Sequence, residues 1–123
     1  MQLQSRDRVE PQRTPAHMQV DRRAWRRVKI PLKVRFVLGE GEEHLARVET
    51  ISPSEMTIRT NVAAEVGQTA LVYVDRVGRF DGKVMHINDG IVRIRFEINR
   101  ARKARIADSL LWLVNRGMEA PPH

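Results

Sequence analysis

The chain has 123 residues, 22 Lys and Arg against 15 Asp and Glu, a formal net charge of +7, 41% hydrophobic residues and no cysteine. That length fits one domain with tails and leaves little surplus for a deep catalytic cleft. Without cysteine there are no disulfides, thiolate zinc sites or cysteine nucleophiles, and no apolar run approaches the ~18 residues of a membrane span. The first thirty residues are polar and charged, with none of the apolar stretch of a signal peptide, so the expected location is cytoplasmic.

The charge is concentrated. Residues 1–30 carry Arg6, Arg8, Arg13, Arg22, Arg23, Arg26, Arg27 and Lys29 against Asp7, Glu10 and Asp21, a net of +5. Such a cluster calls for an anionic partner, and the planar guanidinium suits phosphate oxygens or a guanine edge. Residues 1–20, with Pro11, Pro15 and few large apolar groups, are expected to form a flexible leader without a core of its own.

From Ile30 the pattern changes to a period of two. Ile30, Leu32, Val34 and Phe36 alternate with Pro31, Lys33 and Arg35, which predicts a half-buried strand. A second strand is expected over His44 to Ile51, followed by a turn at Ser52-Pro53-Ser54 and a third strand with Met56, Ile58 and Thr60 on one face. Leu71 to Val74 is an apolar run short enough for a buried strand. Phe80 to Ile87 and Ile91 to Phe96 flank Asn88-Asp89-Gly90, a strong hairpin signal. Ile106, Leu110, Leu113 and Val114 then follow helical spacing, with Asn99 as N-cap and Gly117 as stop. The basic residues Arg100, Arg102, Lys103 and Arg105 crowd the start of this helix, where its dipole disfavours them. The fold class is therefore all-β: a small six-stranded antiparallel barrel with a C-terminal α-helix.

Catalytic patterns are missing. His17, His44, His86 and His123 are scattered without metal-ligand spacing, and no nucleophile elbow or phosphate loop occurs. Glu42-Glu43 reads as a solvated turn tip. No enzyme, cofactor or metal is expected.

The stretch Asp21-Arg22-Arg23-Ala24-Trp25-Arg26-Arg27-Val28-Lys29-Ile30-Pro31 sets Arg23 and Arg27 four apart, directly before the first strand. It resembles the signature of PilZ domains, in which an arginine-rich linker enters the barrel. The resemblance runs over residues 21–116. It divides the chain into a leader (1–20), a domain (21–117) with linker 21–29, barrel 30–97 and helix 99–116, and a tail (118–123). The family's second motif, Asp/Asn-x-Ser-x-x-Gly, meets Thr50-Ile51-Ser52-Pro53-Ser54-Glu55. Ser52 falls on the motif serine, Thr50 replaces the acidic or amide residue, and Glu55 replaces the glycine.

What the resemblance implies is a receptor for the bacterial second messenger cyclic di-GMP. Arg23 and Arg27 would take its phosphates and guanine Hoogsteen edges, with Arg22 and Arg26 assisting. Ser52 would donate from its hydroxyl. Thr50 can replace only part of what a carboxylate or amide accepts from guanine, and Glu55 adds a carboxylate where a positive φ would suit glycine. Trp25 could stack on a base or pack the linker on the barrel. Binding would order the linker and signal to a downstream protein of motility, polysaccharide or cell-cycle control. The alternative is a degenerate PilZ adaptor that binds protein and ignores the nucleotide. A single-stranded nucleic acid surface is disfavoured, because Phe36, Phe80 and Phe96 are placed inward and few aromatics remain.

Overall fold

The structure, a computed structural model, describes residues 26–121; the expected leader, Arg22, Arg23 and Trp25 lie outside the described residues. Six strands, β1 (Lys33–Leu38), β2 (Glu43–Ile51), β3 (Glu55–Arg59), β4 (Thr69–Val74), β5 (Gly78–Asn88) and β6 (Ile91–Phe96), precede one helix, α1 (Arg100–Asn115). The strands close into a barrel in the order β1-β2-β3-β6-β5-β4, each pair antiparallel. Closure leaves no sheet edge with unpaired backbone groups.

Alternation decides what fills the barrel. Val34, Phe36, Val48, Met56, Ile58, Val72, Val74, Phe80, Val84, Val92, Ile94 and Phe96 are all buried in one cluster. Ile106, Leu110 and Leu113 of α1 join that same cluster, so one core serves barrel and helix. Ile30 and Leu32 are buried as expected, although they precede β1 rather than belong to it. The β4 segment differs from its expectation. It alternates, with Val72 and Val74 inward while Tyr73 is 38% exposed. A closed single-layer barrel has solvent on its outer face, so an apolar run there cannot be covered on both sides.

Local chemistry fixes the corners. Asp89 and Gly90 both take positive φ (55° and 78°) between the paired residues Asn88 and Ile91, as a two-residue hairpin turn of this hand requires. Arg76, at φ 70°, carries the turn from β4 to β5, and nothing in its sequence signalled that conformation. Asn99 caps α1 by accepting from Arg102 N at 2.8 Å, and Gly117 at φ 78° ends it. The first turn of α1 holds no acidic residue. Arg102 is accommodated instead by donating to the Arg79 carbonyl and lying 4.8 Å from the Phe80 ring centroid.

Candidate functional site

The linker reaches the barrel through one backbone bridge. Val28 N donates to Ile51 O and Ile51 N to Val28 O, both at 2.9 Å. Val28 is buried, which anchors the bridge and sets Arg27 beside the turn that joins β2 to β3. Pro31 directs the chain on into β1; its carbonyl accepts from Arg47 Nη1 at 3.1 Å.

That turn is Ser52-Pro53-Ser54-Glu55. Its backbone closes with Ser52 N donating to Glu55 O at 2.8 Å. The Ser52 hydroxyl accepts from Ser54 N (3.2 Å) and Glu55 N (3.3 Å) and donates to Glu55 O at a long 3.4 Å. Ser52 is buried and shapes the turn first. Its outward donation is limited to exchanging that one long bond. Glu55 does not have positive φ, so it sits at the motif glycine's position without backbone strain.

The Glu55 carboxylate binds Arg27 Nη2 and lies 3.8 Å from Arg93 Nε. Arg93 Nε is buried and makes no hydrogen bond. Two guanidiniums thus converge on one carboxylate. Beside them Thr50 N donates to Thr57 Oγ1 at 3.1 Å, and the two threonine hydroxyls lie 2.7 Å apart. The register Thr50↔Thr57, Thr57↔Arg93 and Arg93↔His86 sets these residues in one row across four strands. A hollow of 500 Å³ adjoins the row, bordered by Thr57, Arg59, His86 and Arg93 among others.

Of the residues named from sequence, the structure brings Arg27, Thr50 and Ser52 together. Arg26 turns away and pairs with Glu119 through bonds of 2.8 and 3.1 Å. Hydrogen bonding to Glu119 raises the Arg26 pKa above its ordinary value. The tail also ties down the linker backbone, with Ala120 N donating to Lys29 O at 2.6 Å. Arg93, Thr57 and Glu119 escaped sequence reasoning. The outward parity of Arg93 and Thr57 was readable, but only the register sets them beside Thr50. Among the described residues no group of His, Cys, Asp and Glu could hold a metal ion, and no helix is long and apolar enough to cross a membrane.

A closed six-stranded antiparallel barrel followed by one helix is a fold that this chain shares with solved PilZ domains. The chain is similar to the crystal structure of the PilZ domain of CeSA from a cellulose-synthesizing bacterium, at 9% identity and TM-score 0.58, over 73% of this chain and 98% of that one. It is also similar to the PilZ domain with c-di-GMP of YcgR from Escherichia coli, at 15% identity and TM-score 0.56, over 75% and 90%. MrkH of K. pneumonia in its apo state aligns at 16% identity and TM-score 0.57 over 89% of this chain, which spans 55% of MrkH. No family model and no curated protein matches the sequence.

Proposed function

We propose that the protein is a PilZ receptor for cyclic di-GMP in which Arg27 exchanges Glu55 for the ligand. The observation that carries this is the position of Arg27: the Val28–Ile51 bridge holds its guanidinium against the turn bearing Thr50, Ser52 and Glu55, with Arg93 facing the same point. The fold supports the reading, as does the c-di-GMP bound by the PilZ domain of YcgR.

Magnitudes favour exchange over blockade. The Arg27 side chain in the Glu55 pair is 45% exposed, and pairs of this kind contribute about 0–1 kcal/mol. A charge-assisted bond to a desolvated phosphate contributes about 1.5–3 kcal/mol. Phosphate therefore displaces Glu55, and Arg93 stays to hold the freed carboxylate. Thr50 offers a hydroxyl acceptor to the guanine N–H groups in place of the motif carboxylate or amide, and buried Thr57 holds it through their shared hydrogen bond.

Calorimetric titration of cyclic di-GMP tests this. Saturable binding by the natural sequence is expected, and Glu55→Gly should tighten it about tenfold by removing the competing carboxylate and its repulsion of phosphate. A second reading rests on Glu55 already binding Arg27 with Arg93 Nε 3.8 Å away: the adaptor that ignores the nucleotide. No heat from the natural sequence, with binding recovered in Glu55→Gly, would establish that reading instead.

Binding acts on the rest of the cell by folding the segment that carries Arg22 and Arg23 across the outer row of Thr50, Thr57 and Arg93, creating a surface for a downstream protein. Charge neutralisation by several arginines offsets the ordering entropy. Amide exchange over residues 10–30 is expected to slow at saturating ligand; unchanged exchange there would refute the ordering step.

A further inference from the structure

Across the barrel from that row, β1 and β4 present a second cationic surface that the nucleotide reading does not use. The register Leu45↔Arg35, Arg35↔Tyr73 and Tyr73↔Arg79 lines up four outward side chains over β2, β1, β4 and β5. The Arg35 and Arg79 guanidinium carbons lie 4.7 and 5.8 Å from the Tyr73 ring centroid. Lys33 and Arg76 add their charges to the lining of a groove of 740 Å³, which also includes Val74, Val77 and Gly78 and one acidic residue, Asp75. Arg35 is also 3.6 Å from Glu43, an exposed pair.

The groove continues toward the helix. Arg76 also borders a hollow of 270 Å³ beside Trp112. Trp112 is 50% exposed, with the Arg116 guanidinium carbon 4.2 Å from its ring centroid. The track therefore alternates cations with two exposed aromatic rings. The phenylalanines point inward, and among the described residues Tyr73 and Trp112 are the aromatics that the fold turns outward.

From this juxtaposition of Arg35, Tyr73, Arg79 and Arg76 with Trp112 we infer that the β1–β4 face binds a single-stranded polynucleotide without sequence preference. Arginines spaced along a groove meet successive phosphates, and exposed rings accept bases that any sequence supplies. The guanidiniums now on those rings are exposed and are displaced or sandwiched at little cost. An acidic peptide would use the cations, whereas a single strand offers a stacking base beside every phosphate.

The test is fluorescence anisotropy of the full chain with labelled oligothymidylate and oligouridylate of about 12 nucleotides. Binding should weaken as salt rises. Arg76→Glu/Arg79→Glu should lower affinity at least tenfold and flatten the log–log salt slope by about 1.4 or more, at roughly 0.7 per phosphate lost. Tyr73→Leu/Trp112→Leu should lower affinity about tenfold with the slope retained. All four residues are outside the hydrophobic core, and unchanged thermal melting confirms that the variants fold. Oligonucleotide binding that ignores the aromatic substitutions would overturn the inference, since charge alone then explains it. So would polyglutamate that binds the natural sequence and displaces the oligonucleotide regardless of Tyr73 and Trp112, which would make the partner an acidic protein. The groove variants should leave the cyclic di-GMP titration unchanged, so the two readings fail separately.

Discussion

Replacing Arg23 and Arg27 together by alanine is expected to weaken cyclic di-GMP binding by at least a hundredfold while leaving the fold intact. Two charge-assisted contacts at about 1.5–3 kcal/mol each sum to about 3–6 kcal/mol, or a hundredfold and upward in affinity. Stability should hardly move for the Arg27 half of this change. Its side chain is 45% exposed and its pair with Glu55 is a surface pair, while Arg93 remains near the carboxylate. Calorimetry with a parallel urea melt separates the two effects. Affinity within threefold of the natural sequence would remove Arg27 from the site and with it the exchange mechanism.

The second large effect is on the core. Phe80→Ala is expected to destabilise the protein by about 3–5 kcal/mol, a substantial part of the ~5–15 kcal/mol that a domain has. Phe80 is 2% exposed and packs on Phe96 with ring centroids 5.0 Å apart. The Arg102 guanidinium carbon lies 4.8 Å from the same ring centroid, so the ring joins the barrel to the start of α1. Gly82, two residues on, faces inward with so little room that a Cβ would meet the Arg95 carbonyl oxygen at 2.6 Å. A wall this tight does not collapse to fill a lost ring, and the cavity cost stays. The measurement is the urea midpoint at unchanged slope. A loss below about 1 kcal/mol would show that the site repacks and that the junction is not rigid.

Glu55 illustrates how a departure from a motif acquires meaning. In the sequence it is an unfavourable replacement for a glycine needing positive φ. In the fold the backbone there is ordinary strand, and the side chain does the work. The carboxylate reaches Arg27 from the linker and Arg93 from β6, residues separated by most of the domain. Under the proposed function, exchange at this one exposed ion pair is what separates a receptor from an adaptor.

The alternation of Ile30, Leu32, Val34 and Phe36, the Asn88-Asp89-Gly90 turn and the helical spacing of Ile106, Leu110 and Leu113 were enough to read the barrel and helix, because each is a short-range pattern matched to one local geometry. The Arg-x-x-x-Arg spacing and Ser52 stood out only through a resemblance; of these residues the structure describes Arg27 and Ser52, which it sets on either side of the Val28–Ile51 bridge. What only the tertiary structure decided lies across strands. Arg93 beside Glu55, Arg26 on Glu119, and Tyr73 between Arg35 and Arg79 all depend on strand register, barrel closure and the return of the tail. Sequence periodicity says which face a residue occupies but not which residue stands next to it on the neighbouring strand. That neighbour is set by the whole core settling into one register, since a slip by one residue would turn every buried side chain outward.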